Sequence, residues 1–255
     1  MTHPPSTAAT VVDRAAQRRI MFAMITALVA VIAAMSGLNV AQQDMAVDLG
    51  ASQGTVLWII NAYTLALAAL LLPVGAIGDR WGRKPVLLAG LTVFGLATIG
   101  ALVASSAAVM IVARVAAGAG AAMIMPVTLS IITSSFPAED RAKAIGVWAG
   151  FAGAGGMIGL FVSSFMVDVL SWRWVFALPL ALVAVSAVAT TRSAPNSKET
   201  REHPFDTLGS VLSALAIGGL VLGIHEGPAK GWSDPLTIAS LAVGAVALAA
   251  FVAWE

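Results

Sequence analysis

Charge is scarce in this sequence, so the places where it gathers suggest what it could do. One is Gly75-Ala76-Ile77-Gly78-Asp79-Arg80-Trp81-Gly82-Arg83-Lys84-Pro85, where an acid and three bases crowd a turn between two apolar runs. Gly75 and Gly78 are small enough to let a neighbouring helix approach closely. Asp79 falls at a helix C-terminal end, where its charge opposes the helix dipole, so it needs a partner such as a cation or another helix's N-terminus. Gly82 suits a tight reversal. Arg80, Arg83 and Lys84 anchor the turn in water and can pair with Asp79. The plainer reading is an ordinary cationic turn.

Arg114 is the one ionisable residue deep in an apolar run. At the centre of a membrane helix an arginine costs about 2.5–3.5 kcal/mol, so it normally faces a bundle interior or a wet cavity. Snorkelling to the outer surface is the alternative. Gly118 lies one turn beyond it. Further on, Gly146 and Gly150, then Gly155 and Gly159, repeat four apart, which puts small residues on one face for helix-to-helix packing. Asn39, Gln42, Gln43, Asn61 and Tyr63 are candidates to line a cavity, or ordinary residues of an outer mouth.

Enzyme chemistry finds little to work with. There are no cysteines; His3, His203 and His225 are expected in tails or loops; and no span holds a pair of carboxylates. No nucleophile–base pair or metal cluster can be assembled at plausible spacing, so no catalytic residue, metal or cofactor is expected.

The elements that must position these residues follow from composition. Hydrophobic residues make up 59% of the 255 and charged residues 11%, against about 25% charge in soluble domains. The charges separate apolar stretches of about 20 residues, the length that spans a bilayer. Eight spans are expected, at roughly 20–41, 55–77, 86–104, 107–133, 143–166, 173–191, 208–225 and 235–254. Each must be helical to satisfy its backbone in hydrocarbon. The first run is read as a retained span, because no small-residue cleavage site follows it.

Of the 14 Lys and Arg, only Arg173 and Lys230 then fall on the outer side and Arg114 within a span. That bias places both termini in the cytoplasm of a multi-pass protein in the cell membrane. Residues 1–19 form a tail and 192–207 a polar linker. These divide a six-helix unit (20–191) from two further helices (208–255). The net charge of +1 and the absence of long basic runs give nucleic acid no foothold.

The run GAIGDRWGRKP resembles the signature between the second and third helices of the major facilitator superfamily. That resemblance implies an all-α bundle and a cytoplasmic charge latch formed by Asp79, Arg80 and Arg83, with Gly75 and Gly78 as packing sites. Arg114 to Ala122 resembles the fourth-helix motif, which implies a role for Arg114 in proton coupling; Ala117 stands where the motif has Gln. Gly155 to Ser164 resembles the fifth-helix antiporter motif, with Leu160 in place of its Pro. The segments from Trp58 and Trp172 are similar to the fourteen-helix drug:proton antiporter branch. That branch carries an Asp in its first helix where this chain has Ala34. The resemblance covers the first half of such a transporter plus the inserted helix pair.

The expected activity is therefore proton-coupled efflux of lipophilic small molecules. The expected partners are the lipid bilayer, the substrate, protons, and either a polypeptide supplying the second half or a second copy of this chain. The alternative is a non-transporting partner subunit or a degenerate remnant.

Overall fold

The structure, a computed structural model, describes residues 13–196 and 206–254, with the side chains of Ala76, Asp79 and Ala229 outside that description. Among the described residues the elements are helices: α1 (Arg14–Gly37), α2 (Gln42–Asp48), α3 (Gln53–Trp81), α4 (Arg83–Leu102), α5 (Ala107–Ser135), α6 (Ala138–Val169), a 3-10 turn (Trp172–Phe176), α7 (Ala177–Ser193), α8 (Thr207–Lys230) and α9 (Pro235–Trp254). They make eight segments long and apolar enough to cross a bilayer, the 3-10 turn and α7 together forming the sixth; α2 is not one of them.

Local chemistry fixes several starts. Ser52 Oγ accepts from Thr55 N–H at the head of α3, and Ser106 Oγ from Val109 N–H at the head of α5. Asp206 accepts from Gly209 N–H at the head of α8. Each satisfies one of the amide donors that a helix leaves unpaired at its N-terminus.

Several helix ends differ from the expected runs: α1 and α4 stop at Gly37 and Leu102, short of 41 and 104, and others reach further. α1 starts at Arg14, inside the expected tail, α6 covers 138–169 where 143–166 was expected, and α8 continues to Lys230, past the expected end at 225. Hydropathy marks only the hydrocarbon layer, whereas the backbone hydrogen bonds continue into the interface. The middle of the expected linker, 197–205, lies outside the described residues.

α5 sits against α3 and α4, α1 against α6 and α7, and α1 also meets α5. Glycines allow these approaches. A methyl group on Gly120 would stand 2.7 Å from Phe94 N of α4, and one on Gly219 of α8 would stand 2.8 Å from Gly244 Cα of α9. The interior has two clusters. One joins Ile20, Met24 and Val31 of α1 to Leu87 and Phe94 of α4 and to Ile124 and Ile131 of α5. The other, at the opposite end, packs Met45, Val56, Met110, Trp172 and Phe176. The outside is equally apolar: Phe22, Val112, Phe161 and Val246 are each more than half exposed. Water would not tolerate such a surface; lipid is its solvent. The α8–α9 hairpin is held by contacts from α8 to α3.

Candidate functional site

Arg114 does not snorkel. It is 2% exposed, at the junction of α5 with α1 and α3. Its Nε donates to Ile59 O of α3 and its Nη1 to Ala34 O of α1, both at 3.3 Å. The guanidinium lies 4.2 Å above the Tyr63 ring, a cation–π contact. Ala34 is in the last turn of α1, where carbonyls lack helical partners and carry partial negative charge, so the cation supplies what the helix end lacks. No acid holds Arg114 in an ion pair among the described residues. Its Nη2 is buried without a hydrogen-bond partner.

Tyr63, expected as a cavity residue, is instead part of this packed interior. It is fully buried, its hydroxyl donates to Val31 O at 2.9 Å, and its ring meets Phe94 edge-on. With its hydroxyl satisfied inside the bundle it has no need of water. Gly118, four residues past Arg114, makes room for this arrangement. A methyl group there would lie 2.4 Å from Tyr63 O and 3.1 Å from Leu67 N.

The other polar candidates do not converge. Asn39 is exposed and donates to Met35 O and Ser36 O, capping the end of α1. Gln42 and Gln43 open α2, half-buried and exposed respectively. Asn61 faces α8, with its Nδ2 3.2 Å from His225 Nδ1. His225 Nε2 lies on the other side, 3.9 Å from Glu226 Oε1.

His225 and Glu226 are candidates that the sequence does not announce. Hydropathy ends the seventh span at 225 and puts that histidine in a loop. In the structure both lie on α8; His225 also meets Trp58 edge-on at 5.2 Å. Glu226 is 1% exposed and paired with Lys230 Nζ at 2.7 Å, one turn along. The spacing of Glu226 and Lys230, four apart on a helix, was the available signal. Lys230 takes up a raised pKa from the Glu226 hydrogen bond, with desolvation opposing and the charges of Glu226 and Asp234 adding.

A second unforeseen contact closes the same end. Asp48 of α2 pairs with Arg173 and accepts from Trp172 Nε1 at 3.1 Å, while Arg173 also donates to Ala104 O at 2.9 Å. The Arg173 hydrogen bond holds the Asp48 carboxyl below the usual carboxylate range, with the Trp172 bond and the Arg173 charge acting in the same direction and desolvation opposing.

The turn between α3 and α4 is built at the opposite end. Gly82 has φ +105, a conformation that L side chains rarely adopt, and a methyl there would meet Asn196 Oδ1 at 2.8 Å. Gly78 lies against Val127 of α5, where a methyl would stand 2.9 Å from Cγ2, and Gly75 lies against Pro126. Arg83 donates to Ser130 O of α5 at 3.2 Å, and Lys84 to Thr191 O of α7 at 2.9 Å. The turn thus ties α5 and α7 together through cations on carbonyls near their C-terminal ends. Arg80 is exposed, and the Asp79 side chain lies outside the described residues.

The small face of α6 divides. Gly155 and Gly159 lie on α1, with Gly37 of α1 facing Ser163 in turn. Gly146 and Gly150 have no atom within 4 Å of an added methyl.

A helical bundle with a buried, acid-free arginine and a turn braced by cations defines the class: a multi-pass α-helical membrane protein. Residues 22–254 match the model of the Major Facilitator Superfamily, and the chain belongs to that superfamily. It is 33% identical over 215 residues to the multidrug resistance protein Stp of Mycobacterium tuberculosis (strain CDC 1551 / Oshkosh), covering 84% of this chain and 40% of Stp. To the methylenomycin A resistance protein of Bacillus subtilis (strain 168) it is 30% identical over 220 residues, covering 85% of this chain and 47% of that one. The chain therefore spans less than half the length of these curated relatives. Its fold is similar to a crystallised auto-inhibited POT family peptide transporter, with TM-score 0.68 and 14% identity, over 93% of this chain and 53% of the other.

Proposed function

We propose that this chain is the first bundle, with an inserted helix pair, of a transporter that exports lipophilic, drug-like molecules in exchange for protons. Residues 20–191 would form the bundle, 192–207 a cytoplasmic linker and 208–255 the inserted pair, with both ends in the cytoplasm of a cell-membrane protein. A second six-helix half, on a further polypeptide segment or a second copy, would complete the substrate path; related transporter folds place their sites between such halves. The reading is non-enzymatic.

Arg114 carries it. A buried cation without an acid partner among the described residues, and with one unpartnered nitrogen, is costly in a bilayer, and such residues mark functional sites. Its positive charge would lower the proton affinity of a carboxyl or amine that the second half or the substrate brings beside it, so that group would give up its proton there. Asp79, Arg80 and Arg83 would latch one conformational state, with Gly82 and Lys84 shaping and bracing their turn. Gly146 and Gly150 offer a free backbone face to a further helix.

The test is proton-dependent dye efflux from cells expressing this chain with its second half. Export that collapses with the proton gradient and with Arg114→Met supports the reading; export indifferent to both refutes it. One observation favours a second reading, a non-transporting partner subunit: Ala34 leaves no first-helix carboxylate beside Arg114. On that reading no pairing of this chain with a second half exports dye.

A further inference from the structure

At the end of the bundle that carries the basic residues, a cleft of about 300 Å³ opens between α1 and α7. Arg18 and Arg19 of α1 and Arg192 of α7 stand around it, with Ser193, Phe22 and Ala189 completing the lining. We propose that this cleft binds the headgroup phosphate of an anionic phospholipid, with the acyl chains lying along α1 and α7.

The charge is one-sided. Asp13, Glu139, Asp140 and Asp206, acids of that end among the described residues, are not among the lining residues. Among the described residues none of the three arginines belongs to an ion pair. Their charge is therefore available to a ligand, and guanidinium forks suit phosphate oxygens. A neighbouring cleft of about 390 Å³ on the other flank of α1 shares Arg18 and adds Arg14 and Lys143, but Asp140 lines it too.

The walls are amphiphilic in the way a lipid requires. Below the arginines come Phe22, 57% exposed, and Ala189; Val185 and Val188 then continue the apolar outer face of α7. The arginines lie where the hydrophobic runs of both helices end, which is the headgroup layer. A soluble anion would use the charge but have no use for that wall.

The cleft is also held in shape. Ser186 Oγ donates to Ala23 O at 2.9 Å, fixing α7 to α1 one turn deeper. Ser193 Oγ donates to Ala189 O at 2.6 Å and lies 3.5 Å from Arg19 O across the floor. The site does not depend on the transport reading, since it needs only the two helices and a bilayer.

The experiment is native mass spectrometry of the 255-residue chain released from detergent, titrated with phosphatidylglycerol or phosphatidylcholine. Phosphatidylglycerol should be retained at one tight site and phosphatidylcholine should not. Each basic residue near an anionic surface contributes about a fivefold factor, so Arg18→Gln/Arg19→Gln/Arg192→Gln should weaken phosphatidylglycerol binding roughly a hundredfold. Arg14→Gln/Lys143→Gln, in the neighbouring cleft, should leave it within a few-fold. The triple lysine variant keeps the charge and separates lost binding from lost folding: it should still bind. Equal retention of the two lipids, or undiminished binding by the glutamine variant, overturns the proposal. Displacement of the lipid by millimolar inorganic phosphate also overturns it, assigning the cleft to a free anion instead.

Discussion

Replacing Gly159 and Gly150 by alanine should have opposite effects on stability, although both lie on α6. At Gly159 the new methyl would stand 2.7 Å from Ala33 Cα, 3.0 Å from Ala33 O and 2.5 Å from Ser36 Oγ. The serine can rotate away, but the α1 backbone cannot, so α1 and α6 must separate. Overpacking of this kind costs about 1–3 kcal/mol. The better helix propensity of alanine returns about 1 kcal/mol, leaving a net loss of up to about 2 kcal/mol. At Gly150 nothing lies within 4 Å, so only the propensity gain of up to about 1 kcal/mol remains. Thermal unfolding of the purified chain in detergent should therefore rank Gly150→Ala at or above the parent and Gly159→Ala below it. On the proposed reading, a second half seated on the Gly150 face of α6 would make activity sensitive to Gly150→Ala as well. A Gly159→Ala chain as stable as the parent would refute the assigned α1–α6 contact.

Arg114→Met should leave stability within about 2 kcal/mol of the parent. The loss of a cation–π contact worth up to about 2 kcal/mol and an orphaned carbonyl costing about 1–3 kcal/mol is offset by relief of an insertion cost of about 2.5–3.5 kcal/mol. A loss well beyond that in a steric-trapping or thermal measurement would make Arg114 a structural residue. Ala34→Asp should place a carboxylate beside Arg114, whose Nη1 already reaches the Ala34 carbonyl. Its Tm should exceed that of Ala34→Asp/Arg114→Met by more than Arg114→Met changes the parent, and additive effects would deny the contact. The Asp48–Arg173 pair should stabilise the end of the bundle that holds α2 above the ordinary carboxylate pKa of 3.8 and be lost as pH falls through the lower folded value. Parent and Asp48→Asn should therefore differ in Tm near neutrality and converge under strong acid; a constant gap would refute the pairing.

The number and order of spans were legible because bilayer thickness imposes them. Their ends were not: Arg14 to Arg19 continue α1 although hydropathy has no reason to include them. The unfavourable burial of Arg114 was legible from its type and position, but its partners are backbone carbonyls, which sequence does not display. Tyr63 was misplaced for a related reason, since a hydroxyl suggests water until a carbonyl such as that of Val31 is found for it. Gly146 to Gly159 announced a small face without saying which part meets α1. Glu226 is hidden from a hydropathy reading by its polarity and made tolerable in the helix by Lys230, four residues on.

If Arg114 serves transport rather than folding, proton-driven dye efflux into everted vesicles shows it most directly, measured for the parent and Arg114→Met chains with the second half present. Flux is expected from the parent and none from a variant that is equally abundant and equally stable. Undiminished flux from that variant would contradict the role assigned to Arg114.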